Sequence, residues 1–239
     1  MKIAIIGYGK MGKEIEQIAV KRGHSVVLKI TSSNSDQLSI ENLKHVNVAI
    51  EFSKPENAYQ NILTCFSANV PVVAGTTGWL QHLDEIKKLC QSANKTFFYA
   101  SNFSIGVHLF FKLNSQLAEM MSVFSDYTIS IEEIHHIHKL DSPSGTAISL
   151  ANQIIEKNKV LQKWVNNANV AIDELPIIST REGEVIGTHS VNYNSSVDTI
   201  SIKHLAKSRK GFALGAVIAA EFLQNKNGYF SMDDLLKIT

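Results

Sequence analysis

The chain is poor in cysteine, poor in proline and almost without net charge. Its two cysteines, Cys65 and Cys90, lie in segments that read as separate amphipathic helices, which excludes a disulfide framework and a CxxC metal knuckle and fits a reducing compartment. Four prolines and 13 glycines exclude a collagenous or low-complexity chain, and with 44% hydrophobic residues the composition is that of a folded globule with a sizeable core. Twenty-three Lys and Arg against 22 Asp and Glu leave a net charge of +1, too little for a generic polyanion binder, so no nucleic acid is expected and any anion site must be local. No apolar run approaches a membrane span, and the first one, MKIAII, breaks at glycine without the long apolar region of a secretion signal. A cytoplasmic protein with no membrane partner is expected.

What is present starts with an apolar run from Lys2 to Ile6, the turn Gly7-Tyr8-Gly9-Lys10-Met11-Gly12, and then Met11, Ile15, Ile18 and Ala19 at helical spacing up to Arg22-Gly23. A second buried strand, Ser25 to Ile30, completes a βαβ unit. In such a unit Gly7 permits the tight turn, Gly9 lets a pyrophosphate approach the backbone, and Gly12 lets helix and strand pack closely, with the helix N–H groups facing the phosphates. The alternation continues with strands at Val46 to Phe52, Val70 to Ala74 and Thr96 to Ala100, and helices at Ala58 to Ala68 and Trp79 to Ala93. This order predicts a Rossmann-like α/β domain with a mostly parallel sheet whose ligand lies outside the carboxyl ends of the strands.

Three loops leave those ends: Phe52 to Pro55, Gly75-Thr76-Thr77-Gly78, and Ser101-Asn102-Phe103-Ser104. Their small and hydroxyl residues suit hydrogen bonds to a nicotinamide or ribose, although ordinary turn chemistry explains any one of them alone. The second strand ends in Lys29-Ile30-Thr31-Ser32-Ser33-Asn34, with no carboxylate for the adenine ribose before Asp36. Thr31 and Ser32, with Ser33 and Lys10, Lys13 or Lys29 in reach, suit a 2′-phosphate, which favours NADPH over NADH.

From Ile105 the period changes: a long helical pattern to Phe124 gives way to alternation at Thr128 to Ile134 and to strands at Glu184 to Tyr193 and Val197 to His204. A mostly antiparallel sheet in an inserted α+β domain is expected. A helix from Phe212 to Leu223 returns the chain to the first domain. The boundaries expected are 1–103 with 212–239 for dinucleotide binding and 104–211 for the substrate and oligomerisation, hinged on two crossings that can close a cleft.

The inserted domain carries Glu132-Glu133-Ile134-His135-His136-Ile137-His138-Lys139-Leu140-Asp141-Ser142-Pro143-Ser144-Gly145-Thr146-Ala147. No metal is expected there, because strand alternation turns His136 and His138 one way and His135 the other and no cysteine is near. A solvated strand end is one reading. The other is a site in which an imidazolium donates a proton beside the fixed charge of a lysine. Ser144, Gly145 and Thr146 open a helix, and N–H groups there attract a carboxylate or phosphate.

These segments resemble the dihydrodipicolinate reductase family. The likeness runs through GYGKMG, GTTG from Gly75, ASNFSIGV from Ala100, EIHHIHKLDSPSGTA from Glu133, REGEVIGTH with Arg181, Gly183, Gly187 and His189, and SIKHLAKSRKGFALGA from Ser201. The resemblance implies a two-domain subunit, assembled as a homotetramer through the substrate-domain sheets, that reduces a small cyclic dicarboxylate imine with NADPH or NADH. It implies His135 as general acid/base and Lys139 as proton donor and substrate contact. His136, Ser144, Gly145 and Thr146 fall to the substrate; Gly7 to Gly12, Gly75 to Thr77 and Ala100 to Phe103 fall to the cofactor. Another two-domain nicotinamide-dependent reductase and a non-catalytic nucleotide sensor are the competing readings. The first needs a catalytic cysteine or a lysine–aspartate pair, and the second has no need of both His135 and Lys139.

Overall fold

The computed structural model describes residues 1–237 except 169 and 209, so Arg209, within the SIKHLAKSRKGFALGA run, lies outside the described residues. The chain divides into two compact units, Met1–Ile105 with Lys210–Thr239, and Gly106–Arg209.

In the first unit the order is β1 (Lys2–Ile6), α1 (Lys10–Lys21), β2 (Ser25–Ile30), α2 (Ile40–Leu43), β3 (Val48–Glu51), α3 (Pro55–Ser67), β4 (Val72–Ala74), α4 (Leu83–Ser92) and β5 (Thr96–Tyr99). The middle of the chain forms α5 (Ile105–Met121), β6 (Thr128–His135), α6 (Gly145–Lys157), β7 (Lys163–Val165), β8 (Glu174–Arg181), β9 (Thr188–Asn194) and β10 (Thr199–Leu205). The return adds α7 (Lys210–Phe222), β11 (Gly228–Phe230) and α8 (Met232–Leu236).

The first sheet has the order β11-β5-β4-β3-β1-β2 and every pairing is parallel. Its strands read as continuous apolar runs because both faces are covered. Ala4 and Ile6 pack with Ala58, Ile62, Cys65 and Ile86 of α3 and α4 on one face. Ile3 and Ile5 pack with Ile15 and Ala19 of α1 and Ala216 and Ala220 of α7 on the other. Gly215 permits the approach of α7, since a Cβ there would lie 1.8 Å from the Phe103 carbonyl oxygen. Glu221 of α7 accepts from Arg22 Nε at 2.8 Å and lies 2.7 Å from His24 Nε2 just beyond α1, fastening the two helices on that face.

The second sheet runs β10-β9-β6-β8-β7 and is mixed. β10, β9 and β6 pair antiparallel, whereas β8 pairs in parallel with both β6 and β7, helix α6 lying in the crossover from β6 to β8. Strand β9 begins at Thr188, four residues later than the alternation from Glu184 suggests, because Gly183 (φ +45) and the Val185 N–H to Glu182 bond form a turn there. Ile131, Ile177, Val191 and Tyr193 make the inward face against Leu150, Ala151 and Ile154 of α6. Among the described residues no helix is long and apolar enough to cross a membrane.

Candidate active site

In the first unit the strand order reverses between β1 and β3, and the loops after both strands meet there. Gly7 has φ +93, and a Cβ on it would lie 2.1 Å from the Phe52 carbonyl oxygen, so the turn admits only glycine. A Cβ on Gly12 would lie 2.6 Å from the Gly7 oxygen, whereas one on Gly9 would meet nothing within 4 Å. The turn is thus closed underneath and open above, and Gly9 caps α1 without a side-chain bond to its first N–H groups. That shape and polarity fit the diphosphate of a nicotinamide dinucleotide.

The neighbouring loops are tied to each other. Ser53 N–H donates to Thr76 Oγ1 at 2.9 Å and to Glu51 Oε1 at 3.0 Å, and Trp79 Nε1 donates to the Thr76 carbonyl at 2.7 Å. Thr76 and Phe103 are buried, Phe103 packing on Phe52 and Phe98, while Ser101 and Thr77 are exposed and Ala100 is buried. Of these loops, Thr77 and Ser101 present side chains outward, and Thr76 and Phe103 hold the frame. Asn102 Oδ1 accepts from Ser104 N–H at 2.8 Å.

At the end of β2, Asn34 Oδ1 accepts from the Thr31 N–H at 2.7 Å and from its hydroxyl at 2.8 Å, which leaves Ser32 exposed at the tip. Lys29, one of the three lysines expected in reach of a 2′-phosphate, is paired: its Nζ lies 2.5 Å from Glu16 Oε1, and Glu16 also takes the Tyr8 hydroxyl. Lys10 and Lys13, on the first turn of α1, are exposed.

In the second unit strand alternation puts Ile131, Glu133 and His135 on the inward face of β6, and register sets His189 opposite Glu133 and Arg181 opposite His135. Glu133 is fully buried. Its Oε1 accepts from the Ser144 N–H at 3.0 Å and from Arg181 Nη2 at 3.3 Å; its Oε2 lies 3.2 Å from His135 Nδ1 and 3.7 Å from His189 Nε2. Burial pulls the Glu133 carboxyl upward, but contacts from His135, Ser144 and Ser179 outweigh it and hold the group well below the usual carboxylate range. Burial, and next the neighbouring His135, push His189 down to about 4, so it is neutral at pH 7.

Gly187 lies against the other edge of His135, where a Cβ would come within 3.0 Å of Nε2. Lys139 Nζ bonds both carboxylate oxygens of Asp141 at 2.7 and 2.8 Å, and the Asp141 carbonyl accepts from Arg181 Nη2 at 2.6 Å. His136 is half-buried, with Nδ1 buried and without a hydrogen-bond partner among the described residues. Ser144 caps α6: its Oγ accepts from the Ala147 N–H at 3.2 Å and lies 3.0 Å from His189 Nε2. Its polar atoms are therefore engaged within the protein, and the helix N–H groups open to a ligand are those of Gly145 and Thr146, the former exposed with open space at its Cα.

Glu133, Arg181 and Asp141 were not assigned roles from sequence, though a carboxylate two residues before His135 on a strand must share its face. Glu133, His135 and His189 offer three ligand atoms within 4.8 Å of one another, enough for a metal ion in principle. Arg181 on Glu133 and Ser144 on His189 already serve that set, which reads instead as a buried hydrogen-bonding network. Both cysteines are buried, their thiols pushed up to about 12 for Cys65 and about 11 for Cys90, which removes either as a nucleophile.

The chain matches two family models, "Dihydrodipicolinate reductase, N-terminus" over residues 1–103 and "Dihydrodipicolinate reductase, C-terminus" over residues 106–236. It is 52% identical over 239 residues to a 4-hydroxy-tetrahydrodipicolinate reductase of Christiangramia forsetii, covering 99% of this chain and 98% of the relative. A protein of the same description from Staphylococcus saprophyticus is 34% identical over 247 residues, covering 98% of this chain and all of the relative (100%). Among solved structures, a dipicolinate-bound dihydrodipicolinate reductase from Paenisporosarcina sp. TG-14 has the same fold, with a TM-score of 0.79 at 23% identity and 97% of each chain covered.

Proposed function

This chain belongs to the dihydrodipicolinate reductase family, and on that premise we infer that it converts 4-hydroxy-tetrahydrodipicolinate, with loss of water, to tetrahydrodipicolinate. It is a nicotinamide-dependent oxidoreductase of diaminopimelate and lysine synthesis. The observation that carries the residue assignments is the buried pair of Glu133 and His135 at the end of β6, with Lys139 four residues on and the open N-terminus of α6 following.

Loss of the 4-hydroxyl leaves a conjugated ring imine, whose C4 would take the hydride that a nicotinamide dinucleotide supplies when bound. The C3–C4 electron pair then shifts toward C2 and the ring nitrogen, leaving an enamine that takes a proton at C3. His135 is the acid that delivers it. Lys139, released from Asp141 to a substrate carboxylate, steadies the developing negative charge and stands as a second proton donor. His136 and the N–H groups of Gly145 and Thr146 hold the carboxylates, with Ser144 setting the helix end. Loss of one such preorganised donor costs about 3 kcal/mol of barrier.

The cofactor falls to Gly7 through Gly12, to Thr31 and Ser32, and to the Gly75–Thr77 and Ala100–Phe103 loops, with NADPH moderately preferred to NADH. A homotetramer is part of the same reading. Supporting it, the face of the second sheet turned away from α6 presents Ser130, Glu132, Ile178 and Ser201 to solvent or half-buried. Light scattering on the eluting protein tests that assembly. Cytoplasmic residence is supported by the two unpaired thiols. The activity is tested by oxidation of NADPH, and separately NADH, in the presence of freshly made dihydrodipicolinate synthase product. Oxidation that depends on that product is expected; none with either cofactor would overturn the assignment.

A further inference from the structure

We propose that Glu133 is a positioning residue for this reaction: it fixes the ring and the tautomer of His135, so that Nδ1 keeps a proton toward the carboxylate and Nε2 is the atom that exchanges one with the substrate. The inference rests on the reading of His135 as the acid.

Glu133 cannot turn away from this task. Its Oε1 is anchored by the Ser144 N–H and by Arg181, which leaves Oε2 directed at His135 Nδ1, 3.2 Å away. Oε2 and His135 Nδ1 are both buried, and among the described residues neither has a hydrogen-bond partner, their own 3.2 Å contact being out of line for one. Catalytic contacts of this kind are commonly loose without substrate and tighten when it binds. On the far edge of the ring a Cβ at Gly187 would lie 3.0 Å from Nε2, so glycine there keeps a side chain off that atom. Which imidazole nitrogen carries the proton is set by the bond the other makes.

The proton balance follows. The imidazolium gives the Nε2 proton to C3 of the enamine as the C3–H bond forms; the electron pair left on Nε2 makes the ring neutral, with Nδ1–H still facing the Glu133 carboxylate. Solvent restores the Nε2 proton afterwards.

Glu133→Gln makes this testable, because Ser144 N–H and Arg181 are both donors and require the amide oxygen at the Oε1 position. The amide NH2 then faces His135 and donates to Nδ1, forcing the proton onto Nε2 in the neutral ring. In protein labelled with 15N-histidine, the His135 signals are those missing from His135→Gln. Wild-type protein should show the neutral ring protonated at Nδ1, and Glu133→Gln should show it protonated at Nε2. The kcat should fall at least about 100-fold with KM within about threefold, and Glu133→Asp, which keeps the charge, should recover part of the loss.

A wild-type ring protonated at Nε2 would overturn the proposal, and that spectrum decides the matter even if Glu133→Gln fails to fold. So would unchanged kcat in Glu133→Gln, or a fall in kcat without a change of tautomer, which leaves Glu133 a structural role only. Full activity in His135→Gln would instead overturn the reading of His135 itself.

Discussion

A Cβ on Gly187 would lie 3.0 Å from Nε2 of His135, so the absence of a side chain at one residue leaves room for the ring of another. Gly187 is not in the left-handed region, so alanine there is a purely steric change. Gly187→Ala should displace the His135 ring by a few tenths of an ångström. Turnover is expected to fall about tenfold or more with cofactor affinity unchanged. Wild-type turnover in this variant would place the reacting atom elsewhere on the ring.

Lys139 is held by Asp141, whose side chain is mostly exposed, so Lys139→Ala leaves no buried charge behind. Stability should hardly change, while kcat falls and substrate KM rises together, because in the proposed mechanism the ammonium both binds a carboxylate and steadies charge in the transition state. Pyridine-2,6-dicarboxylate, which offers two carboxylates on a planar ring, should inhibit competitively with substrate and more weakly in the variant. A neutral analogue that inhibits equally well would remove the carboxylate contacts from Lys139 and the α6 N-terminus.

The βαβ unit with its glycine turn is legible because the residues that make it are adjacent in sequence and each obeys one local rule. Glu133 was not legible as a site residue. In an alternating strand a carboxylate reads as the solvent face, and its burial depends on Arg181, His189 and Ser144, which come from β8, β9 and the start of α6. Strand β8 does not show in the sequence pattern because Pro176 interrupts its apolar run, although Pro176 pairs only with the three-residue strand β7 at the sheet edge. Strand β11, Gly228–Phe230, is too short for a period to show. The pairing of Lys29 is not legible either, because its partner Glu16 lies on α1, 13 residues away in sequence.

His189 makes the second unit acid-sensitive. Its folded value of about 4 lies below the ordinary 6.5, so its contribution is complete above pH 6.5 and is lost as pH falls toward 4. At most about 3 kcal/mol is at stake. Glu133, also lowered, adds a further loss below pH 4.5. Chemical denaturation at a series of pH values should show the first loss in wild type and a flatter profile in His189→Gln over pH 4 to 6.5. Identical slopes would mean that His189 is not held neutral.

In the proposed reading, cofactor choice rests on the Thr31–Asn34 turn and on cations near it. Lys10 and Lys13 are exposed and Lys29 is paired with Glu16, so the preference for NADPH should be modest, about two- to tenfold, and should weaken as salt rises. Glu16→Gln should enlarge it by releasing Lys29, and an acid placed at Ser32 should reverse it. Titrating both cofactors at low and high salt checks this; equal affinities insensitive to salt would mean that the turn does not read the 2′ position.

The course of the reaction itself is tested most directly by following label. NADPH deuterated at the transferred position, supplied with freshly made substrate, should place its deuterium at C4 of the tetrahydrodipicolinate formed. His135→Gln should place it at the same carbon at least about 100-fold more slowly, with cofactor affinity unchanged. Deuterium at the carbon bonded to the ring nitrogen, or an undiminished rate in His135→Gln, would contradict hydride addition at C4 followed by proton delivery from His135.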